Sequence, residues 1–283
     1  MANGGAASLL LTLAVAIAPP NAASGQQSAP PPVTVVGLPL AGAEAEEFLR
    51  AARVLDRTSI GTGITRPDRL TLTDGVRTTR AVWKTIHDRR MGLQRLEGGG
   101  FEFDFRDSWR SEVAAYELDK MLGLGLVPPT VERRIDGRVG SLQMWIEAAM
   151  TEDDRKRRDL EAPDAAAWNA QMHKVRLLHQ LTYNTDHRNI RNVLIDPTFR
   201  VYAVDSSRAF RIQEDLLAPE DLVSFSRAVL ERLAALDRPL VDARLGSWLE
   251  KRQIDGLLAR RDRILALAKV RIAEKGEAAV LYP

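Results

Sequence analysis

The stretch Asn184–Phe210, NTDHRNIRNVLIDPTFRVYAVDSSRAF, decides the fold. It opens with a polar loop that carries Asp186, Asn189 and Asn192, and it ends shortly after Asp205. Two apolar runs, VLI and VYAV, flank an Asp-Pro turn and predict a β-hairpin. Because a hairpin brings its two ends together, we expect Asn192 and Asp205 at one mouth, with Asp186 on the loop that leads into it.

This arrangement suits a cation and a hydroxyl group. Asn192 and Asp205 offer two oxygen ligands to Mg²⁺ (or Mn²⁺), which completes its coordination with water and phosphate. Asp186 is placed to accept a proton from an attacking hydroxyl, or to orient that hydroxyl. A second interpretation stays open, since Asp186, Asn189 and Asn192 also favour turns and can simply cap one.

Two further charged residues fit the same chemistry. Lys84 ends the apolar run AVW of a predicted strand, and Glu112 begins the helix that follows. A strand lysine paired with a helix glutamate orients the α- and β-phosphates of a nucleotide. Upstream, Gly61 and Gly63 in the turn SIGTGIT can present backbone amides to phosphate oxygens. Either charged residue alone is usually a solvated surface group, so the prediction depends on the ordered set.

Residue patterns predict strands in the first half of the chain and helices in the second. The resulting fold class is α+β, with a strand-rich N-lobe at about 57–146 and a helical C-lobe at about 147–283. The segments on which this prediction rests are a helix at Glu44–Arg57, strands at Arg69–Thr73, Arg80–His87, Val131–Ile135 and Gly140–Ile146, a helix at Ser111–Leu122, and helices from Trp168 onward.

Composition excludes several classes of site. The 283-residue chain has a formal charge of only +2, so we expect no nucleic-acid partner. It contains no cysteine, which excludes disulfides, cysteine zinc sites and a thiol nucleophile. Neither an H-x-x-x-H zinc pair nor a G-x-S-x-G nucleophile elbow occurs.

The N-terminus predicts export. The apolar run Leu9–Ala18 is too short for a bilayer span but fits a secretory signal at 1–23, although no Lys or Arg precedes it. A Pro-, Ala- and Ser-rich linker at 24–43 follows, and the folded body occupies 44–283. We therefore expect a periplasmic or secreted protein without a transmembrane span in the mature chain; a misassigned start would make it cytoplasmic.

The order of lysine strand, glutamate helix, hinge, Asp–Asn loop, hairpin and Asp resembles the atypical protein-kinase-like superfamily. The similarity is to the branch with phosphatidylinositol 3/4-kinases, HipA-like kinases and secreted Golgi-type kinases, with uncharacterised bacterial members nearest. The blocks that carry it are SEVAAYELDKMLGLGLVPPTVER, GSLQMWIE, VDSSRAF, ARRDRIL and GEAAVLY, within 60–282.

The resemblance implies a role for each matching residue. Lys84 would contact nucleotide phosphates and Glu112 would hold the lysine. The segment from Met144 to Glu147 would be the hinge that contacts adenine. Asp186 would be the catalytic residue, and the metal would bind Asn192 and Asp205. ATP and Mg²⁺ (or Mn²⁺) are the implied cofactors, and the acceptor is an unidentified protein or small-molecule hydroxyl.

Two departures from the family pattern leave two function classes open. Asn192 lies six residues after Asp186, where the family places its metal-binding Asn five residues after the Asp, so His187 is interpreted as an insertion. No glycine follows Asp205 in the order Asp-Phe-Gly. The chain is either an active phosphotransferase or an exported pseudokinase that serves as a nucleotide- or protein-binding scaffold without turnover.

Overall fold

The computed structural model describes Met1 and residues 37–60, 67–95 and 101–283. The predicted signal and most of the linker lie outside these residues, as do Gly61 and Gly63. Within the described ranges, no helix is long and apolar enough to cross a membrane. The helices are α1 Gly42–Ala51, α2 Trp109–Leu122, α3 Glu152–Arg157, α4 Ala165–Thr182, α5 Arg227–Ala234, α6 Arg238–Leu245, α7 Lys251–Lys275 and α8 Glu277–Val280. The strands are β1 Arg53–Ser59, β2 Asp68–Thr73, β3 Thr78–Lys84, β4 His87–Arg95, β5 Phe101–Ser108, β6 Thr130–Ile135, β7 Arg138–Met144, β8 Met150–Thr151, β9 Val193–Ile195, β10 Val201–Ala203, β11 Phe225–Ser226 and β12 Leu281–Tyr282.

The N-lobe is built on a five-stranded antiparallel sheet with the order β1-β2-β3-β7-β6. In β2 the inward-facing Leu70 and Leu72 are fully buried, whereas the edge strand β1 buries no side chain. Phe48 and Leu49 of α1 cover this face and belong to the same apolar core. That core begins at Leu40, ahead of the Arg57 boundary expected from the sequence.

The helix expected at Glu44–Arg57 is only partly correct. The chain leaves the helix after Ala51 and continues as the strand β1. The helical spacing of Phe48, Ala52 and Leu55 was misleading, because Leu55 is 50% exposed and contributes nothing to a buried helix face. Main-chain pairing of β1 with β2 along the edge of the sheet outweighs local helix propensity here.

The C-lobe is helical, as predicted, and has its own core. Helix α4 and helices α5 to α7 bury a continuous apolar cluster that includes Leu178, Leu181, Leu233 and Leu257. Helix α2 belongs to this core as well. It begins after Ser108, whose side chain accepts the Arg110 N–H. It ends before Gly123, which has φ of 61°, a conformation that glycine adopts without strain.

A two-stranded antiparallel hairpin, β4 with β5, was missed from the sequence. The strand β5 alternates aromatic with charged residues, FEFDFRDS, so its apolar side chains all lie on one face. Residues 96–100, between the two strands, lie outside the described residues. The hairpin connects β3 to α2 and therefore links the two elements that carry Lys84 and Glu112.

Candidate functional site

Lys84 lies at the centre of the site. It is the last residue of β3, next to the buried Trp83, and only 9% of it is exposed. Its Nζ donates to Glu112 Oε1 at 2.5 Å and to Asp205 Oδ1 at 2.8 Å. The structure thus joins three predicted site residues from β3, α2 and the segment after β10 in one ion-paired group.

Glu112 faces inward from the first turn of α2. Its second carboxylate oxygen accepts the backbone N–H of Ser206 at 3.0 Å, so it fixes the segment next to Asp205 as well as Lys84. Burial raises the pKa of the Glu112 carboxyl, and the Lys84 charge opposes that rise. Glu112 therefore depends on its cation to remain ionised in the interior.

Asp205 follows β10 with φ of 60°, a left-handed conformation that is uncommon for a side chain other than glycine. Its Oδ1 also accepts the Ser207 hydroxyl at 3.0 Å. The Lys84 charge lowers the pKa of the Asp205 carboxyl. For Lys84, burial disfavours the cation, but the charges of Asp205 and Glu112 outweigh burial and raise its pKa.

The hairpin of β9 and β10 has the expected geometry. The two strands pair antiparallel from Ile195 with Val201 to Val193 with Ala203. Beyond the last pair, the Val204 N–H donates to the Asn192 C=O at 2.9 Å. Asn192 and the residue after Val204, Asp205, consequently lie at the same mouth, as the sequence predicted.

The loop before the hairpin gathers its polar side chains on Asp186. Asp186 Oδ2 accepts the Asn192 amide at 2.8 Å and the Asn189 amide at 3.0 Å. Successive tight turns, from the His187 N–H to the Asn184 C=O and from the Asn189 N–H to the Asp186 C=O, take up the extra residue. The six-residue spacing therefore still brings Asn192 to Asp186.

Each group contributes to the lining of one cavity of about 480 Å³, the first through Lys84 and Asp205 and the second through Asn192, whereas Glu112, Asp186 and Asn189 do not line it. Lys84, Asn192 and Asp205 form its polar end. Its remaining lining is mostly apolar and comes from both lobes: Ile60, Arg80, Val82, Gln143, Met144, Trp145, Ile146, Ala148, Ala149, Leu194 and Val204. A mostly apolar cleft with a few convergent polar groups is typical of a small-molecule site.

The predicted hinge is only partly at this cavity. Met144 lines it, but Glu147 does not. The Glu147 N–H and C=O are both bonded to Gly37, and its carboxylate pairs with Arg80. Ile146, one residue earlier, lines the cavity, and the contact of Glu147 with adenine stays a prediction.

The metal prediction fits the donor set. Since the Asn192 NH₂ group donates to Asp186, the amide oxygen is left for a cation, next to the Asp205 carboxylate. Among the described residues there is no group of three or more His, Cys, Asp or Glu side chains able to hold a metal. A site with few protein ligands suits Mg²⁺, which retains water and takes phosphate oxygens.

Sequence reasoning missed the residues that hold the segment after Asp205. The contacts that hold this segment come from one face of α7, at Gln253, Gly256 and Arg260. The fully buried Arg260 donates to the backbone carbonyls of Leu181 at 2.8 Å and Arg211 at 3.0 Å, so it ties α4 to this segment. The block ARRDRIL contained the signal, but an arginine in a polar helix is usually on the surface.

Arg260 has no carboxylate partner in these contacts. Burial lowers the pKa of its guanidinium to about 9. Close packing adds to the constraint, because a Cβ on Gly256 would lie 2.9 Å from the Ile212 carbonyl oxygen. The Gln253 amide donates to the Phe210 C=O at 2.7 Å. The backbone from Phe210 onward is consequently fixed against α7.

Comparison with solved structures identifies the architecture. A Fam20 protein of hydra, solved with a sugar, superposes with a TM-score of 0.62 at 14% identity, over 84% of this chain and 90% of that one. The chain has a two-lobed protein-kinase-like fold. The Golgi casein kinase, also solved with Mn and ADP bound, matches this fold with a TM-score of 0.61 at 15% identity, over 84% of this chain and 78% of that one. No protein-family model matches the sequence, and no curated protein matches it significantly.

Proposed function

We propose that this protein is an ATP- and metal-dependent phosphotransferase that acts on the hydroxyl of a protein or small molecule. The observation that carries the proposal is the Lys84–Glu112–Asp205 group at the polar end of the cavity. In a fold shared with kinases, the buried cation Lys84 lies beside the Asp205 carboxylate, and the Asn192 amide lies at the same hairpin mouth. Cation, metal ligands and proton acceptor are the parts that phosphoryl transfer requires.

In this proposal the nucleotide lies in the cavity with its phosphates toward Lys84. Val82, Met144 and Leu194 provide apolar surface for the adenine ring, and the backbone of Ile146 offers it polar groups. Gly61 and Gly63 remain predicted phosphate contacts. Asp205 and the Asn192 amide oxygen would hold Mg²⁺ or Mn²⁺, which when bound neutralises phosphate charge.

Asp186 acts on the acceptor. Its Oδ2 is occupied by two amides, so Oδ1 is the oxygen that takes the proton of the attacking hydroxyl. That hydroxyl oxygen forms a bond to the γ-phosphorus as the bond to the β–γ bridging oxygen breaks, and ADP leaves. The amides of Asn189 and Asn192 keep the Asp186 carboxylate oriented without neutralising it.

A nucleotide-binding scaffold without turnover is the second candidate. One contact favours it: Lys84 Nζ lies 2.8 Å from Asp205 Oδ1, so a cation must compete with the lysine for that oxygen. The two candidates differ in γ-phosphoryl transfer and agree on metal-dependent nucleotide binding.

Binding is tested first by calorimetric titration of ADP with and without Mn²⁺. The proposal expects metal-dependent binding in the wild type and its loss in Asp205→Ala and in Asn192→Ala. Asp262→Ala, an exposed carboxylate on α7, is the matched control and binds like the wild type. Absence of binding by the wild type with both Mn²⁺ and Mg²⁺ would refute the enzyme and the nucleotide-binding scaffold, and would leave only a protein-binding scaffold.

We also propose that the protein acts outside the cytoplasm. The predicted signal at 1–23 is the support, and the mature chain is expected to begin near Ser24. Mass spectrometry of the native N-terminus tests this directly. An intact Met1 or Ala2 terminus in the cytoplasmic fraction would contradict export.

A further inference from the structure

The outer part of the β4–β5 hairpin exposes an unusual set of side chains. Four large apolar residues there are more than half exposed: Met91 at 76%, Leu93 at 66%, Phe101 at 67% and Phe103 at 61%. Leu93 lies opposite Phe103 in the antiparallel register, so these two apolar side chains are neighbours on one face. A grouped apolar surface of this kind on a hairpin indicates a binding surface.

Among the described residues of the hairpin, the charged side chains in the exposed class are arginines. Arg95 lies opposite Phe101 and is exposed, and Arg90 lies opposite Phe105 with 57% of its side chain exposed. The acidic residues of β5 face the protein instead. Glu102 pairs with Arg208 and Arg211, and Asp104 and Asp107 are buried.

The remaining acidic residue of the two strands, Asp88, is bound to Arg90 at 2.8 Å. Along the described strands, the fully exposed side chains are therefore only basic, histidine or apolar. Basic residues beside exposed aromatic and aliphatic residues are the combination that binds an anionic lipid surface.

The base of the hairpin is held firmly, so its outer part is presented as a fixed projection. The Ser108 N–H donates to the Ser207 C=O at 2.9 Å, and Arg106 pairs with Glu250 at 3.0 Å. Among the described strands, β4 and β5 pair only with each other. Exposed apolar neighbours such as Leu93 and Phe103 can enter a lipid interface together.

From this charge pattern and shape we infer that the β4–β5 hairpin docks on membranes that contain anionic phospholipid, with Leu93, Phe101 and Phe103 entering the interface and Arg90 and Arg95 contacting headgroups. A second copy of the chain is a poorer occupant. A two-fold contact between hairpins would place arginines against arginines, and like charges in contact are unfavourable.

Sedimentation of the full chain with vesicles tests the inference. Wild-type protein is expected to bind vesicles of phosphatidylglycerol and phosphatidylcholine, and to bind phosphatidylcholine alone much more weakly. Leu93→Ser with Phe103→Ser should lower binding about tenfold or more. Arg90→Gln with Arg95→Gln should lower it about fivefold for each arginine.

Val76→Ser is the matched control, since Val76 is 92% exposed in a turn outside the hairpin. It is expected to bind vesicles like the wild type. The apolar run Leu9–Ala18 is present in every variant, so binding through that run would survive in all of them. Unchanged binding of both hairpin variants would overturn the inference.

A direct probe uses the absence of cysteine from the chain. Leu93→Cys labelled with an environment-sensitive fluorophore is expected to show a blue shift on anionic vesicles, while labelled Val76→Cys shows none. No shift at position 93 would overturn the inference. A concentration-dependent dimer that Phe103→Ser dissociates, in place of vesicle binding, would also overturn it and would identify a second copy as the occupant.

Discussion

The two halves of the site are held together in different ways. Lys84, Glu112 and Asp205 come from distant parts of the sequence and form one ionic group, in which Lys84 and Glu112 are buried and Asp205 is partly exposed. Asp186, Asn189 and Asn192 lie in one loop nearer the surface and bind mainly one another. The first half requires the whole fold to be in place, and the second is formed by local turns.

This difference separates stability from chemistry. Removing one member of a buried ionic group leaves the others without compensation, so folding and nucleotide binding fail together. Removing a side chain from the loop leaves the core intact, so only the reaction suffers. The variants of Lys84, Arg260 and His179 test buried groups. Those of Asn189 and Asp186 test the loop.

The largest effect is expected for Lys84→Met. Glu112 would remain buried without its cation, which costs about 3–5 kcal/mol for a buried pair that loses one partner. Urea unfolding measures the loss. Lys251→Met is the control, because Lys251 is 84% exposed and its pairing with Asp255 is solvated. Equal stabilities of these two variants would show that Lys84 is not part of a buried ionic group.

Arg260→Met should have the next largest effect. Backbone carbonyls of Leu181 and Arg211 would lose a charged donor, although relief of guanidinium burial offsets part of the loss, which leaves about 2 kcal/mol. Hydrogen exchange should also quicken at the amides of the segment after Phe210. The exposed Arg252→Met on the same helix is the control. Unchanged exchange in Arg260→Met would mean that α7 does not fix this segment.

Acid sensitivity is expected to come partly from His179. Burial, with a smaller contribution from the charge of His187, lowers the pKa of the His179 imidazole to about 4, from an unfolded value of 6.5. The unfolded chain thus binds the proton first, and stability falls as pH drops from 6.5 toward 4, by about 2 kcal/mol at pH 5. In His179→Leu the unfolding free energy should change less between pH 7 and pH 5. An identical pH dependence in both proteins would exclude this role.

Asn189→Ala should have the smallest effect. Asp186 would lose one of two amide donors, and the variant residue is exposed, so the unfolding free energy should stay within about 0.5 kcal/mol of the wild type. A phosphoryl-transfer assay should show a rate lowered by less than about tenfold. A loss as large as that of Asn192→Ala would show that Asn189, at the third position after Asp186, is the metal-binding amide instead.

Much of this comparison could be predicted from the sequence, because local signals carry it. The hairpin from Val193 to Ala203 and the cap of α2 depend on turn and end residues that are close in sequence. The order of Lys84, Glu112, Asp186, Asn192 and Asp205 indicated a kinase-like fold before any contact was known. The structure agrees with that fold and brings Lys84, Glu112 and Asp205 together.

The rest depended on tertiary contacts that no local pattern contains. The strand β1 was mistaken for helix because its pairing partner, β2, lies outside the local stretch of sequence that was analysed. The backbone bonds of Glu147 to Gly37 could not be predicted, because Gly37 lies in the segment that was expected to be a linker. Arg260 was overlooked because burial of an arginine is decided by the backbone carbonyls around it and not by its neighbours in α7.

The central claim is that a loop outside the buried ionic group performs the transfer. The most direct test is transfer of labelled γ-phosphate from ATP by wild type and Asp186→Ala, to the protein itself or to an added protein, with Mn²⁺–ADP affinity measured on the same samples. The account predicts equal affinity and a transfer rate lowered about 10²- to 10⁴-fold in the variant. Equal transfer by the two proteins would contradict it, and binding without transfer by the wild type would identify a scaffold.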